Sequence, residues 1–298
     1  MMGDESWRDG SVVHRHLHLL NTELKADCSF IVGISEKKQF RCHKSILSYG
    51  SPVFDVMFNG DLEEKGDVNV EDIEPQHFRK MLEYIYSDNT ELENVESALS
   101  VCYAANKYMI NTLTLKCIDF SKKNLSNDVV CRALEFARLI ENPDLEDTSL
   151  LYLKLHTGDV LKSLSFPNAE RETLLTILEQ DEDICIASEV EVFSACIRWA
   201  KAQPRDATVT LREVLGPDVL GRIRFLSMTA RQFVTFVVPT KLLKVQEERD
   251  ILCCIAVGPG NMPLGFTKNA KNRAASIGPQ DPMDIEIHRL CGIEYNKY

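Results

Sequence analysis

Apolar residues occupy every second position from Cys28 to Ile34. A polar stretch follows at residues 35–37, and a second run ends at Cys42. Alternation with a period of two is typical of a half-buried strand, and a short polar stretch between two such runs is typical of a turn. The pattern therefore predicts a β-hairpin between residues 28 and 42.

The apolar spacing changes to three or four residues after this hairpin, which is the period of an amphipathic helix. It predicts short helices at residues 43–49 and 52–58, then a short strand at 67–70 and a helix that begins at Pro75. Strands and helices are thus mixed in the first part of the chain. The remaining predicted helices cover residues 95–105, 108–120, 129–140 and 144–155.

Residues 11–24 precede the hairpin and predict one further amphipathic helix. Its apolar stripe consists of Val13, Leu17, Leu20 and Leu24. A helix this apolar at a chain terminus needs a partner surface.

The later part of the chain has little β patterning. Ser188 and Glu191 have the spacing of a capping box, which predicts the start of another helix. Residues 258–298 are rich in Gly, Pro and Asn and predict a linker or tail.

Composition narrows the class of protein. The 298 residues carry a formal net charge of -11, which argues against broad binding to nucleic acid or to anionic membranes. No secretory signal is visible at the N-terminus. The apolar run at residues 251–257 is far shorter than the about 20 residues that span a bilayer.

Candidate chemistry is sparse. The 10 cysteines include no C-x-x-C pair and lie mostly in apolar patterns, so we expect buried free thiols and a reducing compartment. His14 and His18 share a helix face without a third ligand, so no metal site is predicted. No phosphate-binding loop, nucleophile elbow or H-E-x-x-H motif occurs. We therefore expect neither an enzyme nor a cofactor.

Two sets of motifs are similar to known families. The succession "CHKSIL", "SPVFDVMF", "DLEE" and "EPQHFRKMLEYIYSD" resembles a BTB/POZ domain, and "LLTILEQDEDICIASEVEVFSACIRWAKA" with "LGRIRFLSMTARQF" resembles a BACK domain. The resemblance implies an α+β BTB domain followed by an all-helical BACK domain. One branch of this family continues into a PHR-type domain, and no such module is recognised here. The expected division is a disordered N-terminus at 1–7, a BTB domain at 8–123, a BACK domain at 126–257 and a linker-like tail at 258–298.

The resemblance also implies partners. The N-terminal helix would form a homodimer, or a heterodimer with related BTB proteins, through the stripe Val13, Leu17, Leu20 and Leu24. Leu62 and Glu64 match the hydrophobic-x-Glu motif with which BTB adaptors bind cullin-3, and Met57, Phe58 and Tyr108 belong to the same expected surface. The alternative interpretation is that Met57 and Phe58 are core residues and that the acidic turn is merely solvated.

Asp27 and Lys44 match the charged pair that lines the pocket of BTB transcriptional repressors. A structural ion pair without a ligand is the favoured interpretation here.

Taken together, these features predict a non-catalytic, dimeric adaptor of a cullin-3 ubiquitin ligase, located in the cytoplasm or the nucleus, with an unidentified client protein. The alternative is an oligomerising scaffold or transcriptional co-regulator that uses its BTB domain only for self-association.

Overall fold

A computed structural model describes residues 6–60, 66–180, 184–206 and 208–273. The chain divides after Asn124 into a first unit, residues 1–124, and a second unit, residues 125–298.

The first unit combines a small sheet with helices. After a 3₁₀ turn at Ser6–Asp9, its elements are α1 (Val12–Thr22), β1 (Cys28–Val32), β2 (Lys38–Cys42), α2 (Lys44–Gly50), α3 (Pro52–Asn59), β3 (Asp67–Val70), α4 (Pro75–Ser87), α5 (Val95–Lys107) and α6 (Asn111–Lys123). The sheet order is β2-β1-β3. β1 pairs antiparallel with β2 and parallel with β3. The predicted hairpin and the α+β class are confirmed.

Aromatic rings fill the core of the first unit. Phe30 on β1 points inward, and its ring centroid lies 5.5 Å from that of Phe54 on α3 and 5.3 Å from that of Phe78 on α4. The ring of Tyr108 stacks on Phe54 with centroids 4.3 Å apart. Ring pairs of this kind add to the stabilisation from area burial.

The beginning of the chain is more ordered than expected. Ser6 and Trp7 belong to the 3₁₀ turn, and the Trp7 ring stacks on His18 of α1 with centroids 4.5 Å apart. The prediction of disorder at residues 1–7 is therefore wrong for these two residues, because Trp7 has a partner on α1. Residues 1–5 lie outside the described residues.

The second unit is helical. Its elements are α7 (Val130–Leu139), α8 (Pro143–Lys162), a 3₁₀ turn (Phe166–Asn168), α9 (Arg171–Glu179), α10 (Glu189–Ala202), α11 (Leu211–Arg222), a 3₁₀ turn (Phe225–Ser227), α12 (Ala230–Gln232) continued by a π-helical turn (Phe233–Val237) and a 3₁₀ turn (Val238–Thr240), and α13 (Val245–Val257). This arrangement confirms the predicted all-helical character.

Helix α8 continues past its predicted end at residue 155. Its backbone is non-helical at His156. The N–H of Gly158 donates to the Cys185 carbonyl at 2.7 Å, and the Cys185 N–H donates to the Lys154 carbonyl at 3.3 Å. Because a distant loop satisfies the backbone groups that the kink releases, the helix resumes and ends at Lys162.

The predicted capping box at the start of α10 is wrong. Ser188 is the N-cap residue, but its side chain makes no capping hydrogen bond. The Glu191 carboxylate instead accepts from the Ala187 N–H at 3.0 Å and pairs with Lys162 at 2.8 Å. Genuine capping boxes begin at Thr210 and Thr229.

Candidate protein-interaction surfaces

The predicted dimerisation stripe on α1 is only partly exposed. Ser11 caps the helix by accepting from the His14 N–H at 3.2 Å. Val13 is 45% exposed and Leu17 is half-buried, whereas Leu20 is 3% exposed. Leu20 is buried within this chain, where α1 packs against α4, so the expectation that its side chain is exposed for a dimer contact is wrong. The stripe therefore turns inward along the helix, leaving its N-terminal half exposed.

Leu24, the last residue of the stripe, and Val12, at the start of α1, are also exposed. Leu24 follows the left-handed residue Glu23, which ends α1, and its side chain is exposed. Val12, which the sequence pattern left off the stripe, is 55% exposed. We define the exposed α1 surface as Val12 and Val13.

A buried histidine connects the segment after α1 to the core of the first unit. The His43 Nε2 lies 2.8 Å from the Leu24 carbonyl oxygen, and its Nδ1 lies 2.9 Å from the Tyr86 hydroxyl. Because a carbonyl only accepts, Nε2 carries the proton and Nδ1 accepts from Tyr86. The Tyr86 oxygen in turn accepts from the His43 backbone N–H at 3.0 Å. Burial raises the pKa of Tyr86 above its usual range, so this hydroxyl remains a donor.

The predicted charged pair makes a backbone contact. Asp27 accepts from the backbone N–H of Lys44 at 2.7 Å. Lys44 is the first residue of α2, and the residue before it provides no side-chain cap. Asp27 therefore satisfies an N–H group at a helix start, where a negative charge is also favourable. The Lys44 ammonium lies 5.4 Å from the ring centroid of Phe58. A structural ion pair between the Asp27 and Lys44 side chains, without a ligand, stays a prediction.

The predicted cullin-contact residues fall into three groups. Leu62 and Glu64 lie outside the described residues. Met57 is half-buried on α3. Phe58 and Tyr108 are in the aromatic core, so a partner cannot contact their rings without moving them. The expectation that these two rings are directly accessible to a partner is therefore wrong, and the alternative interpretation, a core residue, holds for Phe58.

Helix α3 and the turn after α5 meet at Tyr108. The Ser51 hydroxyl at the start of α3 donates to the Tyr108 carbonyl at 2.6 Å. The next residue, Met109, has a φ of 54° and is 59% exposed. On α3, Phe54 and Phe58 point inward, and Val56 between them is 70% exposed. We call Val56, Met57 and Met109 the α3 surface. The sequence analysis missed Val56 and Met109, although the i, i+4 spacing of the two phenylalanines already places Val56 on the other face.

Polar groups adjoin this surface. Lys107, which precedes Tyr108, pairs with Asp72 at 2.6 Å, and the Tyr103 hydroxyl donates to the same carboxylate at 2.9 Å. Burial alone would raise the pKa of Asp72, but the hydrogen bonds from Lys107 and Tyr103 outweigh it and lower that pKa. Exposed apolar side chains beside a satisfied polar group are typical of protein-interaction sites.

Comparison with known proteins identifies both units. A family model described as "BTB/POZ domain" matches residues 17–125, and one described as "BTB And C-terminal Kelch" (BACK) matches residues 130–238. The chain therefore contains a BTB/POZ domain followed by a BACK domain. Neither matched model is that of an enzyme family. Among the described residues, no helix is long and apolar enough to cross a membrane.

Several known proteins are similar to this chain over most of its length. BTB/POZ domain-containing protein 6 of Xenopus tropicalis is 33% identical over 243 residues, which are 80% of this chain and 45% of that protein. BTB/POZ domain-containing protein 3 of Homo sapiens is 33% identical over 248 residues, 81% of this chain and 47% of that protein. Protein 6-A of Danio rerio is 32% identical over 275 residues, 89% of this chain and 50% of that protein. The chain thus spans about half the length of these relatives.

The cysteines of the BTB and BACK domains are mainly packing groups. Six of the nine described free cysteines are buried, Cys28 is partly buried, and Cys185 and Cys253 are exposed. Burial raises the pKa of Cys28, Cys102, Cys131 and Cys196 to about 12. A thiol with so high a pKa is a poor nucleophile and a poor metal ligand at neutral pH. In the described ranges, no group of three or more His, Cys, Asp or Glu side chains is placed to hold a metal ion.

One open cleft of about 380 Å³ lies between the starts of α4 and α5 in the BTB domain. Its central cation, Lys80, donates to the Glu91 carbonyl at 2.8 Å and pairs with Glu93 at 3.0 Å. Because the protein itself neutralises this ammonium group, the cleft offers no strong anion site. The remaining side chains that line it are Gln76, His77, Asn94, Glu96, Ser97 and Ser100.

Proposed function

We propose that the chain is a non-catalytic adaptor that dimerises through its BTB domain and recruits a client protein to a cullin-3 ubiquitin ligase in the cytoplasm or the nucleus. The observation that carries the proposal is the α3 surface. Val56 and Met57 of α3 and Met109 of the turn after α5 offer apolar side chains to a partner, and the hydrophobic-x-Glu sequence of Leu62 and Glu64 follows α3 in the chain.

The physical logic of this docking site is an apolar contact with a polar border. Met57 and Met109 are flexible and adapt to the shape of a partner. The Phe54 and Tyr108 rings behind them are stacked and buried, which gives the surface a rigid support. The Glu64 carboxylate would add a directed hydrogen bond at the edge of the contact.

Calorimetry against the N-terminal domain of cullin-3 tests this site. We expect the Leu62→Ala, Glu64→Ala double variant to lose binding, and the Val56→Glu, Met109→Glu double variant to bind at least roughly thirtyfold more weakly, as is typical when anchor residues are removed. Leu115→Glu places the same charge at an exposed leucine of α6 and should bind like the wild type. Equal binding by all variants would retain the adaptor function and discard this surface.

Dimerisation rests on the exposed α1 surface. BTB domains as a family mediate dimerisation, and obligate dimers bury roughly 2,000 Å² or more of largely apolar surface. We expect the wild type to be a dimer by light scattering and the Val12→Glu, Val13→Glu double variant to be monomeric, with Leu115→Glu remaining dimeric. A wild-type monomer would remove the homodimer and leave a heterodimer with related BTB proteins to be tested by mixing.

The same experiments separate the adaptor from its alternative. A wild-type dimer that shows no heat of binding to cullin-3 at micromolar concentrations would support a scaffold or co-regulator. Binding that depends on the α3 surface would support the adaptor.

A further inference from the structure

Residues 258–273 run back over the BACK domain after α13 ends at Val257. We call this segment the strap. Its backbone joins α11, since the Thr267 N–H donates to the Gly221 carbonyl at 3.1 Å. The Phe266 ring meets Phe225 edge-on with centroids 5.9 Å apart, and Met262 is buried. The expectation of a linker-like tail is therefore wrong for this segment, whereas residues 274–298 lie outside the described residues.

The strap ends at a buried arginine. Arg273 pairs with Glu189, the first residue of α10, at 3.0 Å, and both side chains are 1% exposed. The Arg273 guanidinium also donates to the carbonyls of Gln180 at 2.8 Å, Arg222 at 2.7 Å and Leu178. The other oxygen of Glu189 accepts from the Arg224 N–H at 2.9 Å. Each buried charge is thus both paired and hydrogen-bonded.

Such an arrangement constrains where residue 273 can be. An isolated charge in a protein interior is strongly unfavourable, so the Glu189 carboxylate needs a cation. The backbone carbonyls around it likewise need hydrogen-bond donors. Arg273 supplies both at once, and the planar guanidinium fixes the direction of the chain. The carbonyls it contacts belong to the ends of α9 and α11 and to the residue after α9, so several elements meet at this one side chain.

We propose that the strap is an integral part of the BACK domain and that Arg273 is its anchor, so that the chain beyond residue 273 leaves from a fixed point beside the start of α10. The BACK family model ends at residue 238 and does not include the strap. This inference does not depend on the proposed cullin binding. Its consequence is that anything joined after residue 273 has a defined starting position on the domain.

Hydrogen exchange of the full chain, read by mass spectrometry, tests the anchor. In Arg273→Met, which keeps a long apolar side chain, amides of residues 258–273 should exchange roughly a hundredfold faster, because the buried Glu189 carboxylate loses its guanidinium partner. The matched control is Lys268→Ala, which removes an exposed cation of the same strap and should exchange like the wild type. Equal exchange in both variants would overturn the proposal. So would a general destabilisation in which the strap remains protected.

A second variant tests the position of the strap without changing a charge. A Cβ atom on Gly221 would lie 2.7 Å from the Gly265 carbonyl oxygen of the strap. Glycine-to-alanine changes inside a helix normally stabilise it, which would raise the melting temperature by about 2–4 °C. With the strap in place, Gly221→Ala should instead lower the melting temperature and speed exchange of residues 258–273. A higher melting temperature would show that the strap is absent from this surface.

Discussion

Replacing Tyr86 with phenylalanine should destabilise the BTB domain much more than the loss of one oxygen atom suggests. The Tyr86 hydroxyl donates to Nδ1 of His43 at 2.9 Å and accepts from the His43 backbone N–H at 3.0 Å. Both side chains are buried. Without the hydroxyl, a ring nitrogen and an N–H group stay buried and unpaired. Each of these two groups costs about 1–3 kcal/mol, so we expect a loss of about 2–6 kcal/mol in the free energy of unfolding.

Urea denaturation followed by circular dichroism measures this loss. The matched control is Tyr103→Phe, because the Tyr103 hydroxyl donates to Asp72 at a site open to solvent. Water can replace that partner, so the control should lose less than about 1 kcal/mol. If the two variants unfold at the same urea concentration, the reasoning about buried polar groups in this domain is refuted.

The same substitution has a local consequence that hydrogen exchange can detect. His43 holds the Leu24 carbonyl through Nε2 at 2.8 Å, directly after the helix that carries the exposed α1 surface. When Tyr86 no longer orients the imidazole ring, amides of residues 22–27 should exchange faster, and the proposed dimer should dissociate at higher protein concentration. Lower stability with unchanged exchange in this segment would show that His43 does not position it.

Three further outcomes are expected. The hydrogen-bonded ion pair with Arg171 lowers the pKa of Asp218 in the folded protein. The ionised carboxylate therefore stabilises the fold above about pH 3.9, the pKa in the unfolded chain, and this stabilisation is lost as the pH falls through the lower pKa of the folded state. The melting temperatures of the wild type and Asp218→Asn should thus differ at pH 7 and converge below about pH 3.9. A difference that persists at pH 2 would contradict this. Gly216→Ala should lower the free energy of unfolding by about 1–2 kcal/mol, because Gly216 has a φ of 67° and a Cβ would lie 2.8 Å from Arg171 Nη2. An unchanged urea midpoint would argue against the non-helical backbone at Gly216 within α11. Chelator and reductant should leave the melting temperature unchanged, because the described cysteines are free, and a fall of several degrees would reveal a metal or a disulfide.

Sequence patterns were most informative where one local rule decides the structure. The alternation from Cys28 to Ile34 predicted β1, because a strand with one buried face has no other register that buries Phe30 and Val32. Patterns were less informative about which apolar residues remain exposed. The stripe on α1 was predicted to face a partner throughout, yet Leu20 is buried within the same chain, where α1 packs against α4.

The interaction surface shows the same division. The motif that contains Leu62 and Glu64 is recognisable from sequence alone. Tyr108 is buried and Met109 is exposed. This difference depends on the turn between α5 and α6, where Met109 has a positive φ. Residues next to each other in the chain thereby differ completely in their access to a partner.

Spacing along the chain is enough to predict the hairpin, the change from a mixed to a helical region and the resemblance to a BTB and a BACK domain, because each depends on neighbouring residues. The pairing of Arg273 with Glu189, 84 residues away, and the packing of a Gly- and Pro-rich segment on the BACK domain are visible only in the folded chain. The physical reason is that hydrophobic periodicity is a local property of the chain. Charge compensation in the interior depends instead on distance in space, which composition and spacing do not contain.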